Sequence, residues 1–255
     1  MSRPDVASAL DPATRSTSVA RTSLGMVRPT NEDRFLTLDE VGLWVVADGM
    51  GGHHRGDLAS SLIVQSLADL PVFASGYALL TAVRQTLKWV NARLIDDAAA
   101  IGGGAMIGST VVALLISDNH FACVWAGDSR AYRLRRGCLE LITHDHSVVQ
   151  EMIDRGELTS LEATTDRRAN IITRAVGVSE DLQLDVTHGV VENGDLFLLC
   201  SDGLTGPVAD RELAALMSYR IMDHSADALL ERALERGAND NVTLVLVNAA
   251  TSQRQ

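Results

Sequence analysis

The sequence predicts an α+β fold in which two packed, mainly antiparallel β-sheets are flanked by helices. Short apolar segments are separated by turn sequences, as in β-hairpins, and segments with helical spacing are grouped between them. Hydrophobic residues make up 46% of the 255 residues but aromatic residues only 4%, so a large core of aliphatic side chains is expected. No internal repeat and no long linker divides the chain, which favours one domain.

The first half of the chain alternates strand and helix patterns. Its predicted elements are a strand at 42–47, a helix at 56–70, a helix over 80–94, and strands at 110–116 and 121–125. The first strand is expected to end at the turn Asp48-Gly49. The last two strands are separated by Ser117-Asp118-Asn119-His120, which predicts a hairpin.

The second half returns to strands and ends with helices before a last strand. Its predicted elements are strands at 131–134 and 139–142, a helical and polar region from 146 to 177, strands at 182–186 and 196–200, helices at 210–217 and 225–236, and a strand at 242–247. Such hairpins with grouped helices are typical of antiparallel sheets covered by helices.

The two ends of the chain and the cysteines indicate where the protein works. Residues 1–22 lack the continuous apolar stretch of a signal peptide and are expected to be a disordered lead-in to a single domain over 23–250, with a tail at 251–255. No apolar run is long enough to span a membrane. Cys123 and Cys200 lie in apolar runs and Cys138 in a turn, so no disulfide framework is expected. A cytoplasmic location follows.

The formal net charge is −11, which bears on the possible partners. So acidic a surface repels nucleic acid and anionic membranes, and no run of Lys or Arg compensates for it. We therefore expect neither partner. An acidic balance suits divalent cations, although many soluble proteins without them have a similar charge.

Acidic residues stand at the ends of several predicted strands. Asp48, Asp128 and Asp202 follow apolar segments, and Asp240 precedes the last strand. A rigid core would hold each carboxylate in a defined position. Asp-Gly can also serve only to make a turn. If the carboxylates converge, they would repel and raise each other's pKa, and Mg²⁺ or Mn²⁺ would relieve this repulsion.

An upstream segment adds an arginine and two further carboxylates. Arg28 could bind two phosphate oxygens through its guanidinium, and Glu32 and Asp33 follow it closely. A surface salt bridge between Arg28 and Glu32 explains the same spacing. The pattern alone leaves both interpretations open.

These residues belong to seven short motifs that occur in a recognisable order. They are Arg28-x-x-Asn31-Glu32-Asp33, Val46-Ala47-Asp48-Gly49-Met50-Gly51-Gly52-His53, Gly108-Ser109-Thr110, Ala126-Gly127-Asp128-Ser129-Arg130, Ile172-Thr173-Arg174-Ala175-Val176-Gly177, Ser201-Asp202-Gly203 and Asp240-Asn241-Val242-Thr243. Together they resemble the bacterial metal-dependent phosphatases of the PP2C (PPM) family, from about residue 22 to 248. The resemblance implies the α/β/β/α sandwich of that family.

The resemblance also assigns roles to the acidic residues. Asp48 would bridge two metal ions, Mn²⁺ or Mg²⁺, with the Gly49 carbonyl as a further ligand, and Asp202 and Asp240 would complete the shell of the first ion. Asp128 would bind a third, weaker ion together with Asp202.

Three further residues receive roles from the same resemblance. Glu32 and Asp33 would hold waters around the ions, and Arg28 would bind the phosphate. Arg28, Asp33 and Asp48 are therefore the expected catalytic residues.

The implied activity is that of a protein serine/threonine phosphatase. Water between the two cations would attack phosphoserine or phosphothreonine without a phospho-enzyme, since no Cys or His occupies a nucleophile position in the motifs. The partners implied are phosphorylated proteins and a cognate Hanks-type kinase, and the protein is expected to be a monomer. Gly56-Asp57-Leu58-Ala59-Ser60 looks like the subgroup associated with type VI secretion.

Two departures from the family pattern limit these assignments. Met50 stands where animal members commonly carry the histidine that follows Asp-Gly. His53 and His54 are nearby, but both are better interpreted as polar residues that lead into a helix. The general acid therefore stays unassigned. Residues 164–170 replace a His-Pro pair in the flap beside the active site. Arg167 and Arg168 there could contact a phosphopeptide or form a solvated turn.

Two alternative functions remain at this stage. A phosphatase-like binding domain without catalysis should lack at least one metal ligand, but Asp48, Asp202 and Asp240 are all present. A hydrolase of small phosphate monoesters is the second alternative. Rates on a phosphothreonine peptide and on sugar phosphates would distinguish it from a protein phosphatase.

Overall fold

The computed structural model describes residues 16–51, 55–163 and 166–251, which form eleven strands and seven helices. The strands are β1 (Thr17–Ser23), β2 (Asp33–Leu38), β3 (Leu43–Met50), β4 (Gly108–Ser109), β5 (Val111–Ser117), β6 (His120–Ala126), β7 (Arg130–Arg135), β8 (Cys138–Leu141), β9 (Asp185–Val190), β10 (Leu196–Cys200) and β11 (Val242–Asn248). The helices are α1 (Arg55–Ala68), α2 (Gly76–Ile101), α3 (Val148–Asp154), α4 (Ser160–Ala163), α5 (Asp202–Thr205), α6 (Asp210–Met217) and α7 (Met222–Glu235).

The strands form two antiparallel sheets that pack face to face. One sheet has the order β1-β11-β10-β7-β8, and the other has the order β2-β3-β5-β6-β9, with β4 paired to β3. Helices α1 and α2 cover the outer face of the second sheet, and α5, α6 and α7 cover the outer face of the first. The predicted sandwich of two antiparallel sheets between helical layers is confirmed.

Successive side chains of each strand point alternately to the two faces of the sheet, and both faces are buried. In β3, Leu43, Val45 and Ala47 pack against α1 and α2, whereas Trp44 and Val46 lie in the core between the sheets. Successive side chains of a strand point to opposite faces, so a continuous apolar run fills two cores at once. The apolar runs of β5, β10 and β11 divide in the same way.

Most predicted elements are present, with small shifts at their ends. The strand predicted at 196–200 and the helix predicted at 210–217 coincide with β10 and α6. The hairpin between β5 and β6 is also present, with register Ser117↔His120. The strand predicted at 182–186 starts later, as β9. Within 146–177, the described residues form two short helices, α3 and α4, and much of the remainder is turns.

The predicted disordered lead-in over residues 1–22 is wrong at its end. Thr17–Ser23 forms β1, which pairs antiparallel with β11 over all seven residues. The polar composition of this segment hides the strand, because the pairing partner lies more than 200 residues away. Residues 1–15 of the lead-in and 252–255 of the tail lie outside the described residues.

Three predictions about the chain's chemistry can also be compared with the fold. Cys123 and Cys200 are buried with free thiols, as expected, and burial raises the pKa of the Cys200 thiol to about 12. Cys138 is free and exposed at the start of β8. None of the helices in the part of the chain that the structure describes is both long and apolar enough to cross a membrane.

Candidate active site

All but one of the acidic residues singled out in the sequence line one cavity of about 620 Å³. Asp48, Asp128, Asp202 and Asp240 lie in its wall, and Arg28 lies at its side. Glu32 and Gly49 also line it. Asp33 is not part of the lining. Antiparallel pairing places Asp33 opposite Asp48, behind the wall of the cavity.

The carboxylates come from both sheets. Asp48 belongs to β3, and Asp128 lies in the connection from β6 of the same sheet to β7 of the other sheet. Asp202 begins α5 after β10, and Asp240 precedes β11, both strands of that other sheet. Each strand is buried along its apolar part, so packing of the two sheets against each other brings these chain segments together. The sequence prediction that these residues converge is consistent with this geometry.

Asp48 lies within its strand, and the prediction that the strand ends there is wrong. Strand β3 continues to Met50 because Gly49 and Met50 pair with β4. The Asp48 carbonyl accepts hydrogen bonds from the Thr110 N–H at 2.8 Å and the Ser109 hydroxyl at 2.9 Å. The Thr110 hydroxyl accepts from the Asp48 N–H at 3.1 Å. The Gly-Ser-Thr motif therefore holds the backbone of Asp48 in place.

Glycine is needed after Asp48 and Asp202 because other chain segments approach closely. A Cβ at Gly49 would lie 2.2 Å from the Gly56 carbonyl oxygen, and one at Gly203 would lie 1.9 Å from the Asn241 carbonyl oxygen. Neither glycine has a positive φ. Close packing against another chain segment, and not an unusual backbone conformation, is therefore the reason for glycine at both positions.

Asp33 connects the two sheets beneath the cavity. Its side chain is buried, and its Oδ2 accepts a hydrogen bond from the Ser201 hydroxyl at 2.8 Å. The Ser201 oxygen in turn accepts from the Thr243 N–H at 3.0 Å. The Asp33 carboxylate therefore reaches from β2 to the residues that precede Asp202.

Burial and mutual repulsion dominate the electrostatics of the cavity. Burial, followed by repulsion from Asp33, raises the pKa of Asp48. Burial, with further repulsion among the carboxylates, raises the pKa of Asp33 and of Asp202 to about 6 and that of Asp128 to about 7. The Oδ1 atoms of Asp33, Asp128 and Asp202 are buried without a hydrogen-bond partner.

These unpartnered oxygens fit divalent cations. Buried carboxylate oxygens without donors are costly, and a hard cation with oxygen ligands satisfies them. Among the described residues, no three His, Cys, Asp or Glu side chains are arranged to hold a metal ion by themselves. A cation here would therefore take part of its ligands from backbone carbonyls and water, as Mg²⁺ commonly does.

Arg28 is paired with one of the predicted metal ligands. Its Nη2 donates to Asp240 Oδ2 at 2.5 Å, and this hydrogen bond, with the attraction of Asp240, raises the pKa of Arg28. Asp240 Oδ1 accepts from the Asn241 N–H at 2.8 Å. Slightly more than half of the Arg28 side chain is exposed, so the guanidinium remains accessible from the cavity.

Asn241 is a structural residue of the site to which the sequence analysis gave no role. Its side chain is almost completely buried. Its Oδ1 accepts from the Glu32 N–H at 2.8 Å, and its Nδ2 donates to the carbonyls of Leu24 and Thr30 at 2.9 and 3.0 Å. Asn241 therefore holds the segment that carries Arg28 and Glu32. The signals in the sequence are its place in the motif Asp240-Asn241-Val242-Thr243 and its position before a buried strand.

His146 is a second residue that the sequence analysis did not single out. Its Nδ1 accepts from the Gly127 N–H at 3.1 Å, next to Asp128, and its Nε2 lies 3.2 Å from Asp185 Oδ2. The ring is buried and stacks on Trp125. Burial lowers the pKa of His146, which favours the neutral ring that these contacts require.

The flap at 164–170 reaches the cavity at its last residue, Asn170, and residues that follow it also line the cavity. Asn170, Ile171, Ile172 and Arg174 are part of the cavity lining. Arg168 is paired with Asp166 at 2.8 Å on the exposed surface, which favours the solvated turn for this arginine. His53, His54, Thr164 and Thr165 lie outside the described residues.

Comparison with known proteins gives one consistent result. Residues 28–245 match the family model of protein phosphatase 2C. The serine/threonine phosphatase Stp of Listeria monocytogenes is 35% identical over 92% of this chain and 96% of its own length. The solved structure of Pseudomonas aeruginosa PppA, described as a key regulatory component of the type VI secretion system, has 46% identity and a TM-score of 0.86 over 92% of this chain and 97% of that chain.

A third similar structure contains metal ions. It is the catalytic domain of the serine/threonine protein phosphatase PstP in complex with two manganese ions. Its identity to this chain is 34% and its TM-score is 0.80, over 92% of this chain and 98% of that chain.

Removal of metal should make the folded protein less stable as the pH rises. The pKa values of Asp33 and Asp128 are raised to about 6 and about 7, so the folded state binds more protons than the unfolded chain above the ordinary carboxyl pKa of about 4. Their contribution to stability is complete below about pH 4 and is lost as the pH rises through about 7.

Thermal unfolding in chelator and in Mn²⁺, between about pH 5 and pH 8, tests this prediction. We expect Tm in chelator to fall across this range, and the rise in Tm caused by Mn²⁺ to be larger at the higher pH. A Tm in chelator that increases steadily from pH 5 to pH 8 would contradict the prediction.

Asn241→Ala should destabilise the protein by about 1–3 kcal/mol, because it removes three buried side-chain hydrogen bonds, one from the Glu32 N–H and two to the carbonyls of Leu24 and Thr30. Asn248→Ala is the matched control, since Asn248 is exposed at the other end of β11. Urea unfolding measures both variants. Equal stability of the two variants would remove the structural role of Asn241.

Proposed function

The chain belongs to the protein phosphatase 2C family, and we propose that its acidic cavity is the active site of a metal-dependent protein serine/threonine phosphatase. The enzyme is a phosphoric monoester hydrolase that acts on phosphorylated proteins. One observation carries the site assignment: Asp128 and Asp202 each have a buried carboxylate oxygen without a hydrogen-bond partner, and both residues line a cavity that Arg28 also lines. Carboxylates alone would repel a phosphate, so the site requires cations.

The residues that would hold the cations are those at the cavity wall. Asp48, the Gly49 carbonyl, Asp202 and Asp240 would hold two Mn²⁺ or Mg²⁺ ions, and Asp128 with Asp202 would hold a third. When bound, the ions would acidify the attacking water and neutralise the charge of the phosphoryl oxygens. The metal dependence agrees with the manganese in the similar PstP structure.

Glu32 and Asp33 would orient water around the ions. Glu32 lines the cavity, whereas Asp33 is buried behind Asp48 and bonded to Ser201. This position favours a positioning role for Asp33, acting through Asp48 and through water, over direct contact with the substrate. Its burial also keeps the carboxylate from competing with the phosphate for Arg28.

Arg28 would bind the phosphate at the edge of the cavity. One of its nitrogens, Nη2, is engaged with Asp240, and the guanidinium has further N–H donors with a geometry that suits phosphate oxygens. The ion pair with Asp240 would hold the guanidinium in position for this contact.

The leaving alkoxide needs a proton, and among the described residues the position after Asp-Gly is a methionine rather than a histidine. Met50 lines the cavity at the position after Asp-Gly and has no proton to give. We therefore propose that water at the site protonates the leaving group.

The relatives support part of the biological setting that we propose. We expect phosphorylated proteins as substrates, a Hanks-type serine/threonine kinase as the opposing enzyme, and a cytoplasmic monomer whose single domain includes β1. The similarity to PppA supports a role in regulation of a type VI secretion system. A kinase gene and secretion genes next to the coding gene would support this setting.

Asp48→Asn and Asp202→Asn should abolish nearly all hydrolysis of a phosphothreonine peptide, because each change removes a charge that holds a cation. The wild-type enzyme should be active with Mn²⁺ or Mg²⁺ and inactive with chelator. Asp118→Asn, in the exposed turn between β5 and β6, is the matched control and should keep wild-type activity. Undiminished turnover in chelator would refute the mechanism, and faster hydrolysis of sugar phosphates would favour small substrates.

Arg28→Ala should raise KM for a phosphothreonine peptide by about tenfold, with a smaller decrease in kcat, because the lost donor binds phosphate in both the ground state and the transition state. Arg28→Lys should recover part of this loss, since lysine keeps the charge but not the planar donor arrangement. Steady-state kinetics measures both variants. A wild-type KM in Arg28→Ala would exclude this role.

A further inference from the structure

Two exposed apolar side chains lie at one side of the acidic cavity. Met106, which precedes β4, is 52% exposed, and Val178, which follows Gly177, is 43% exposed. Both line the catalytic cavity, and both also line a neighbouring groove of about 370 Å³. The groove is therefore continuous with the cavity across Met106 and Val178.

The groove differs from the cavity in charge. One side of it is the C-terminal part of α2, with Ile95, Ala98 and Ala99, and the other side includes Gly177. None of the described residues that line the groove carries a charge. The cavity, in contrast, is lined by four aspartates and a glutamate. A ligand that extends from the cavity into the groove therefore meets a change from charged to uncharged surface.

The loop after α2 contains three consecutive glycines, and two of them, Gly102 and Gly104, line the groove. Gly102, Gly103 and Gly104 all have φ near +70°, and a Cβ at any of them would meet nothing within 4 Å. Glycine is therefore required there by the backbone conformation and not by packing. Because these residues have no side chains, the loop exposes its backbone beside the groove.

A buried asparagine holds the Val178 side of the groove. Asn91 on α2 is 2% exposed, its Oδ1 accepts from the Gly177 N–H at 2.7 Å, and its Nδ2 donates to the Ser179 carbonyl at 2.8 Å. The two hydrogen bonds bracket Val178. A Cβ at Gly177 would lie 2.2 Å from the Ile107 carbonyl oxygen, so this segment is also held against the residue after Met106. The two apolar side chains thus have a rigid support.

We propose that this groove binds the polypeptide chain of the substrate beside the phosphorylated residue, and that it selects uncharged, apolar flanking residues. The proposal rests on the proposed phosphatase function. When the phosphate is in the acidic cavity, the chain on one side of it passes over Met106 and Val178 and its next residues enter the groove. A charged flanking side chain would lose hydration there without gaining a partner.

Phosphothreonine peptides with leucine or glutamate at each of the four positions on either side of the phosphothreonine test this proposal. The wild-type enzyme should prefer leucine over glutamate by about tenfold in kcat/KM at one or more positions on one side only. Ala99→Glu should lower kcat/KM for the leucine peptide by about tenfold and leave hydrolysis of p-nitrophenyl phosphate unchanged, because the small substrate does not reach the groove.

Ala100→Glu is the matched control. Ala100 is the next residue of α2, is exposed, and does not line the groove. The glutamate of this variant therefore adds the same charge near the same helix end without touching the peptide. It should keep wild-type rates on both substrates. Ala99→Lys adds a reciprocal test, since it should raise kcat/KM for the peptide with glutamate at the selective position.

The outcomes separate this inference from the function on which it rests. No metal-dependent hydrolysis of any phosphopeptide by the wild-type enzyme would refute the phosphatase function itself. Hydrolysis with no preference between leucine and glutamate, or equal peptide kinetics of Ala99→Glu and Ala100→Glu, would overturn only the groove. A loss of p-nitrophenyl phosphate hydrolysis in Ala99→Glu equal to the loss on peptide would also overturn it.

Discussion

Repulsion between buried carboxylates is the constraint on which the rest of this structure depends. Asp33, Asp48, Asp128 and Asp202 all have raised pKa values, with burial as the first cause. Three of them carry an oxygen without a hydrogen-bond partner. A chain gains nothing for its own stability from such an arrangement. The arrangement makes sense for a site that binds cations, and the sandwich around it must be stable enough to hold the charges together.

That stability comes from cores on both sides of each sheet and from polar contacts directly beneath the site. Ser201 joins Asp33 to β11, the Gly-Ser-Thr motif holds the backbone of Asp48, and Asn241 holds the segment with Arg28. These neutral groups bond to backbone or to one carboxylate oxygen. They position the charged side chains without neutralising them, which leaves the remaining oxygens available to cations.

In the groove beside the site, too, the residue that holds the backbone is not the residue that would contact the substrate. Asn91 bonds to the backbone on both sides of Val178 and leaves its side chain exposed beside Met106. The cations and Arg28 suit the phosphate, which every substrate shares, whereas the groove meets residues that differ between substrates. The acidic cavity would therefore carry out the chemistry, and the uncharged groove beside it would select the substrate.

The sequence by itself determined the layers of the fold and the identity of the acidic residues. Continuous apolar runs such as 196–200 specify buried strands, and Asp-Gly after such a run marks where a carboxylate can stand. Only the tertiary structure decided that β1 is a strand, that Asp48 lies inside β3, and that Arg28 pairs with Asp240. The contacts of Asn241 and His146, and the existence of the groove, were also evident only from the tertiary structure. Local propensity extends over a few residues, whereas these features depend on chain segments brought together from far apart in the sequence.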